Sequence, residues 1–170
     1  MKLVALNALD QPAFTAALSH LFEHSPWVAE ETWSRRPFRD PAHLHAELCA
    51  TMRGATVERQ LALIRAHPDL AGRLARQRQL TAESTREQAS AGLDRLTDAE
   101  MADFQQLNDR YRTRFGFPFI ICARLNAKDA IVSAMRTRIE NTPGAEHAAA
   151  LAEIEKIAWL RLTDTLGSTD

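Results

Sequence analysis

The residue best suited to acid–base chemistry is His67, which stands directly before Pro68 at the end of a predicted helix. Because a residue that precedes proline is disfavoured in the α conformation, the imidazole of His67 is expected to project away from the helix axis. A histidine titrates close to neutral pH and can therefore accept or donate a proton during catalysis. A histidine at a helix end can also serve only as a cap, and its position alone leaves both interpretations open.

Glu87 is the second candidate for acid–base chemistry. Ser84 and Glu87 have the spacing of a capping box, in which Glu87 would serve only the start of a helix. Gln88 and the small residues at 89–92 leave space at that helix start, where unpaired backbone N–H groups attract anions. The pattern therefore predicts a helix that begins near Ser84, with either a structural or a functional role for Glu87.

Arg161 lies on the predicted last helix of the chain. At 100° per residue, its direction falls within about 60° of the apolar residues Ile154, Ile157 and Ala158. A guanidinium on an apolar face needs a carboxylate, carbonyl oxygens or an anionic ligand as its partner. Alternatively, only the aliphatic stem is buried and the charged head reaches the rim. Ligand contact and structural ion pair both remain open.

His20, Glu23 and His24 match the reversed zincin pattern His-x-x-Glu-His. On a helix, the two histidines would be one turn apart and could face one metal ion. The same residues close a predicted helix just before Ser25 and Pro26, where the helix dipole favours a histidine without any metal. A zinc-dependent hydrolase is therefore one alternative function, and a non-catalytic helical binding module is another.

The elements that must position these residues are predicted to be helices throughout. Helix start and stop signals recur along the chain, and the alternation typical of strands is absent. The exception is the apolar segment 117–123, which Pro118 interrupts and which is predicted to be buried as an extended or irregular segment. Predicted helix N-caps are Asp10, Asp40, Thr56, Asp69, Ser84, Thr97, Asn126 and Thr142. The fold class predicted is all-α, a single-domain bundle of about eight helices over residues 1–170.

Composition narrows the functional classes. The chain has 21 Lys and Arg against 22 Asp and Glu, so no basic field indicates a nucleic-acid partner. Cys49 and Cys122 form neither a disulfide framework nor a metal-binding spacing, which favours a reducing compartment. Neither a signal peptide nor an apolar run of about 18 residues is found. The expectation is a cytoplasmic protein that binds neither nucleic acid nor a membrane.

Three segments in combination resemble one known family, and two further segments agree with it. They are His67-Pro68-Asp69-Leu70-Ala71; Ser84-x-x-Glu87-Gln88 with Ala91-Gly92-Leu93; residues 114–124; Ser25-Pro26-Trp27-Val28; and the Glu155 to Leu162 part of the last helix. The sequence resembles the 2-oxo-4-hydroxy-4-carboxy-5-ureidoimidazoline (OHCU) decarboxylases from about Leu6 to Leu166. It lacks the peroxisomal tail of some eukaryotic relatives, which favours a bacterial, cytoplasmic member.

The resemblance implies a carboxy-lyase that converts OHCU to (S)-allantoin in urate degradation. It also implies that neither a cofactor nor a metal is needed, because the conjugated carbonyl and imine groups of the substrate accept the electron pair of the leaving carboxyl group. The substrate decomposes spontaneously to racemic product, so stereocontrol would be the main contribution of the protein. Members of the family often form dimers, and a homodimer is expected.

The resemblance also assigns roles to individual residues. His67 and Glu87 are the expected catalytic residues, and which of them delivers the final proton stays open. Arg161 is expected on ring carbonyl oxygens, where negative charge grows, because a tight clamp on the leaving carboxylate would stabilise the ground state. Residues 119–123 are expected to offer backbone N–H and C=O groups. The predicted substrate-binding residues are Pro68, Ser84, Gln88, Phe119, Ile120, Ile121 and Arg161.

Overall fold

The computed structural model describes residues 1–72 and 79–167, and within these ranges it contains nine α-helices, three short 3-10 helices and no β-strand. The all-α prediction is confirmed. Every helix in these ranges is too short or too polar to span a bilayer. The α-helices are α1 Leu3–Asn7, α2 Gln11–Leu18, α3 Trp27–Thr32, α4 Pro41–Gly54, α5 Val57–Ala66, α6 Ala82–Ser90, α7 Asp98–Phe115, α8 Lys128–Arg138 and α9 Pro143–Leu166. The 3-10 helices are Ser19–Leu21, Trp33–Arg35 and Ala123–Leu125.

Most helices begin at the predicted capping residues. The Asp40 carboxylate accepts a hydrogen bond from the His43 N–H at 2.7 Å and so caps α4. Thr97 and Glu100 form the predicted reciprocal capping box at the start of α7. Gly116 ends α7 with a φ of +74°, a conformation that glycine adopts without steric cost. Helices also start directly after or close to the predicted caps Asp10, Thr56 and Thr142.

The predicted start of α6 is wrong. Thr81 caps this helix by accepting a hydrogen bond from the Ser84 N–H at 3.2 Å, so the helix begins at Ala82. Ser84 therefore lies in the first turn, and Glu87 lies beyond it, where no capping box can form. Threonine and serine are comparable N-caps, and local sequence does not decide between two of them three residues apart.

The predicted start of α8 is also displaced. Asn126 does not cap this helix, since its side-chain amide donates to the Cys122 carbonyl oxygen at 2.9 Å and the helix begins at Lys128. A short polar side chain readily satisfies a nearby backbone group in this way. The predicted helix after Asp69 falls largely on residues 73–78, which lie outside the described part of the chain.

The chain divides into two compact units, one formed by Met1–Leu63 with Ile154–Asp170 and the other by Ile64–Glu153. In the first unit, α3 packs against α2 and α4, and in the second, α7 packs against α8 and α6 packs against the 3-10 helix Ala123–Leu125. The prediction that residues 1–170 form a single domain stays a prediction. Buried side chains of the first unit include Phe14, Leu18, Val28, Leu48 and Met52, and those of the second include Phe104, Tyr111, Phe119, Ile131 and Met135.

Candidate active site

His67 is held in a buried position just after α5. The residue is only 7% exposed, and its backbone N–H donates to the Ile64 carbonyl oxygen at 3.2 Å. The α-helix ends at Ala66, directly before the histidine, as the following Pro68 predicted. The imidazole is therefore carried by a loop that starts at a helix end, and it is shielded from bulk water.

Gln88 of α6 ties this loop to the helix that carries Glu87. Its amide oxygen accepts a hydrogen bond from the Ala71 N–H at 2.9 Å, and its amide nitrogen lies 3.5 Å from the Asp69 carbonyl oxygen. Ala71 has a φ of +50°, a left-handed conformation that L-residues other than glycine rarely adopt. The side-chain amide of Gln88 thus stabilises an unusual backbone conformation close to His67.

Helix α7 also contacts the loop after His67 and holds it in place. The Asn108 side-chain amide donates to the Leu70 carbonyl oxygen at 2.9 Å, and Arg112 forms an ion pair with Asp69 at 2.8 Å. A side chain at position 72 would also be too close to the loop, because a Cβ there would lie 2.7 Å from the Asp69 Cβ. The loop after His67 is therefore fixed by hydrogen bonds from two helices and by a glycine.

Glu87 lies half-buried on α6. Ser84 and Gln88 are one turn apart on the buried face of this helix. Burial raises the pKa of the Cys122 thiol, and the carboxylates of Glu153 and Glu87 raise it further by repelling the thiolate charge. The carboxylate of Glu87 is thus close to the segment that ends at Cys122.

The segment Phe119–Ile121 is buried and lies outside any helix, as predicted. Its Ile120 carbonyl oxygen accepts from Arg138 at 2.8 Å. Among residues 1–72 and 79–167, none hydrogen-bonds the N–H groups of Phe119, Ile120 or Ile121. A buried N–H group without a partner is costly and is normally satisfied by water or a ligand. These donors are therefore suited to binding the oxygens of a small molecule.

The second unit thus contains eight of the nine predicted site residues, and Arg161 belongs to the first unit. Arg161 is 4% exposed, which agrees with its predicted place on the apolar face of α9. Its guanidinium donates to the Glu23 carboxylate at 3.0 Å and to the His20 carbonyl oxygen at 2.9 Å. The structural ion pair is therefore present, and contact of Arg161 with a substrate stays a prediction.

The structure does not support the zinc site. Helix α2 ends at Leu18, Ser19–Leu21 form a 3-10 turn, and His24 has a φ of +46°, so the helical spacing of the pattern is lost. The His20 ring nitrogen instead contacts the Thr165 hydroxyl at 2.8 Å, and the Glu23 carboxylate pairs with an arginine. The described residues contain no group of three His, Cys, Asp or Glu side chains arranged to hold a metal ion.

A separate open cavity of about 520 Å³ lies between α7 and α8. Ion pairs of Lys128 with Glu100 and of Arg136 with Asp103 lie along it. Its lining, as far as the structure describes it, includes no predicted site residue. Four of the charged side chains along this cavity are thus already paired with one another.

Sequence reasoning missed the residues that hold these two segments in place. Asn108 interrupts the apolar stripe of α7, and a polar residue in that position is a signal of a buried hydrogen bond. Arg138 and Glu146 gave no comparable signal, because basic residues are common at the end of a helix and acidic residues at the start of the next.

Comparison with known proteins gives one consistent result. A family model described as "OHCU decarboxylase" matches residues 7–163. The chain is 44% identical to the 2-oxo-4-hydroxy-4-carboxy-5-ureidoimidazoline decarboxylase of Halalkalicoccus jeotgali, over 94% of this chain and 88% of that protein. It is 41% identical to the protein of the same name from Haloferax volcanii, over 99% of this chain and 98% of the relative.

A solved structure shows the same relationship. The crystal structure of (S)-allantoin synthase is similar over 100% of this chain, with a TM-score of 0.78 and 29% sequence identity. The present chain spans 55% of the length of that protein.

Proposed function

The chain belongs to the OHCU decarboxylase family, and on that basis we propose that it is a carboxy-lyase that converts OHCU to (S)-allantoin in urate degradation. The observation that carries the proposal is that Gln88 joins the loop of His67 to the helix of Glu87. This helix in turn brings the Glu87 carboxylate close to Cys122, which directly follows Phe119–Ile121, the wall segment of the site. The predicted acid–base groups and backbone donors thus belong to one compact unit.

The reaction needs a proton donor and groups that stabilise the negative charge that develops on the substrate. The bond between the ring carbon and the carboxylate carbon breaks, and CO2 leaves. The electron pair of that bond passes into the conjugated carbonyl and imine groups of the ring. A proton then adds to one face of the resulting carbon centre. His67 is suited to move this proton because it is an imidazole in a buried position, and Glu87 would hold the substrate hydroxyl or ring N–H.

The N–H groups of Phe119, Ile120 and Ile121, to which no described residue hydrogen-bonds, would stabilise the growing charge on the substrate oxygens. Preorganised backbone donors in a water-poor site need little reorganisation during the reaction, and they act on charge that appears only in the transition state. Pro68 would shape the remaining surface, and Ser84 would bind the ureido or carbonyl edge of the substrate. Gln88 would contact the ureido or carbonyl edge, since an amide can form more hydrogen bonds than those it makes to the loop.

Arg161 is part of the proposal as a donor to the ring carbonyl oxygens. A guanidinium carries five N–H donors, so the contacts with Glu23 and the His20 carbonyl do not by themselves exclude a further contact.

No cofactor is proposed, because the substrate provides its own electron sink. Activity should therefore survive exhaustive treatment with a chelator, whereas a metal-dependent hydrolase would lose it.

We also propose a cytoplasmic, bacterial protein that binds neither nucleic acid nor membranes and that forms a homodimer. Light scattering of the purified protein tests the last point, and a monomer at micromolar concentration would contradict it.

The test of the function is circular dichroism during urate oxidation. Urate oxidase and hydroxyisourate hydrolase generate the substrate in place, and spontaneous decay of that substrate gives racemic allantoin with no net signal. Addition of this protein should produce the signal of (S)-allantoin faster than the spontaneous reaction. A binding module without catalytic activity would leave both the rate and the racemic product unchanged.

A further inference from the structure

A buried carboxylate lies beneath the wall segment. Glu146, in the first turn of α9, is 0% exposed and accepts hydrogen bonds from the Tyr111 hydroxyl, the Asn141 amide at 2.9 Å and Arg138 at 2.9 Å. Burial alone would raise the pKa of Glu146, but the hydrogen bonds from Arg138, Tyr111 and Asn141 outweigh it and hold the pKa below its usual range. The carboxylate is therefore a fixed negative charge at neutral pH.

Arg138 connects this fixed charge to the wall. Its Nε and Nη2 atoms donate to the Glu146 carboxylate, which fixes the plane of the guanidinium. Its Nη1 atom donates to the Ile120 carbonyl oxygen at 2.8 Å, and the guanidinium carbon lies 4.3 Å from the centre of the Phe119 ring. One side chain thus contacts both the backbone and the aromatic ring of the wall segment.

The geometry of the peptide group determines the effect of this contact. The carbonyl of Ile120 and the N–H of Ile121 belong to the same planar group, and in a trans peptide they point in opposite directions. Arg138 holds the carbonyl oxygen, so the Ile121 N–H must point away from Arg138. This N–H is one of the donors that no residue in 1–72 or 79–167 hydrogen-bonds.

We propose that Arg138 is a positioning residue that directs the Ile121 N–H towards the oxygen of the substrate on which negative charge develops. The inference rests on the proposed decarboxylation. Arg138 does not touch the substrate in this account, and Glu146 acts only by fixing the guanidinium. Nothing in the family resemblance assigns a role to either residue.

The main test is Arg138→Lys, which keeps the positive charge beside Glu146. A single ammonium nitrogen cannot occupy the positions of Nε, Nη1 and Nη2 together, so the Ile120 carbonyl is no longer held. The matched control is Arg136→Lys, the same substitution two residues away on α8, where Arg136 is exposed and pairs with Asp103 at 2.7 Å.

We expect kcat to fall at least tenfold in Arg138→Lys, with KM changed less than threefold, because the misdirected donor acts mainly in the transition state. We also expect a lower excess of (S)-allantoin, and this deficit should persist when more enzyme is added to restore the wild-type rate. A variant that had merely lost part of its folded population would return to the wild-type excess. Arg136→Lys should stay within twofold of the wild type in kcat and KM.

A second variant removes the guanidinium without leaving a buried charge. Arg138→Met combined with Glu146→Gln should stay folded and lose at least as much kcat as Arg138→Lys. A kcat within twofold of the wild type and an unchanged (S) excess, in either folded variant, would overturn the positioning role. If the wild type and Arg136→Lys both fail to accelerate the reaction, it is the proposed function that fails, and the positioning role fails with it.

Discussion

At the scale of single residues, the burial of His67 sets the first expectation. His67→Asn keeps a side chain of similar size but cannot titrate, so kcat should fall about 10²-fold or more. The melting temperature should stay close to that of the wild type, because the side chains of Gln88 and Asn108 hold the loop through its backbone. The measurement is the circular-dichroism assay for (S)-allantoin. Turnover near the wild-type rate would remove His67 from the mechanism.

Glu87 can be tested without concern for the start of its helix. Thr81 caps α6, so Glu87→Gln removes a charge but no capping interaction. We expect the free energy of unfolding to change by less than about 1 kcal/mol, and kcat to fall at least tenfold. Urea denaturation and the allantoin assay measure the two quantities. Lost stability with full activity would instead show that Glu87 has only a structural role.

For Arg161, in contrast, we expect a substitution to lower the stability of the fold, because the guanidinium pairs with the buried carboxylate of Glu23. Arg161→Met leaves the buried carboxylate of Glu23 without its partner, which should lower the free energy of unfolding by about 3–5 kcal/mol. Combining it with Glu23→Gln should recover most of this loss. Calorimetry of allantoin binding to the stable double variant then isolates the ligand contact. Wild-type affinity in that variant would remove Arg161 from the substrate-binding residues.

At the scale of elements, the contact between α6 and the loop of His67 depends on one amide. Gln88→Ala leaves the Ala71 N–H buried without its acceptor, so stability should fall by about 1–3 kcal/mol. We also expect kcat to fall at least fivefold, since the loop that carries His67 is no longer fixed. Gln106→Ala, at an exposed position on α7, is the control and should change neither quantity. Unchanged activity in Gln88→Ala would show that the contact does not position His67.

The elements also show what local sequence can and cannot predict. The starts of α4 and α7 followed from Asp40 and from the pair Thr97 and Glu100, because capping involves residues only three positions apart. The start of α6 did not, since Thr81 and Ser84 are both good caps and the packing of Ser84 on the buried side decides between them.

The candidate site was predictable where a short motif carries it. His67, Glu87 and the buried segment Phe119–Ile121 were all singled out from the sequence. The residues that hold them were not, because the contacts of Arg138 with Ile120 and of Asn108 with Leu70 join positions 18 and 38 residues apart. Such pairs depend on how helices pack, which hydrophobic periodicity and capping signals do not specify.

At the scale of the whole molecule, the pH range of stability should reflect the buried pair of Glu146 and Tyr111. The lowered pKa of Glu146 stabilises the folded state fully above the unfolded pKa of about 4.3, and this contribution is lost as pH falls through the folded pKa. Burial and the neighbouring carboxylate raise the pKa of Tyr111, so the folded state is also disfavoured above about pH 10, where the unfolded chain ionises.

We therefore expect the free energy of unfolding of the wild type to fall below about pH 4.3 and to fall above about pH 8.5, where the thiols of Cys49 and Cys122 ionise in the unfolded chain but are held neutral by burial in the folded one. Tyr111 should make the decline steeper above about pH 10. Urea denaturation from pH 3 to pH 11 measures this profile. Tyr111→Phe should show a shallower decline than the wild type above about pH 10, and it should keep the decline due to the thiols and the one on the acid side. An unchanged alkaline decline in Tyr111→Phe would show that other groups cause it.

The proposed use of backbone donors in the wall segment has a consequence for how the sequence can drift over evolutionary time. A main-chain N–H is encoded by no particular side chain, so positions 120 and 121 can exchange one aliphatic residue for another without loss of the donor. Only proline would delete it. Natural selection for activity should then act mainly on Arg138 and Glu146, which support the wall segment. In descendants of this gene, the surface that meets the ligand should be freer to vary than the ion pair that supports it.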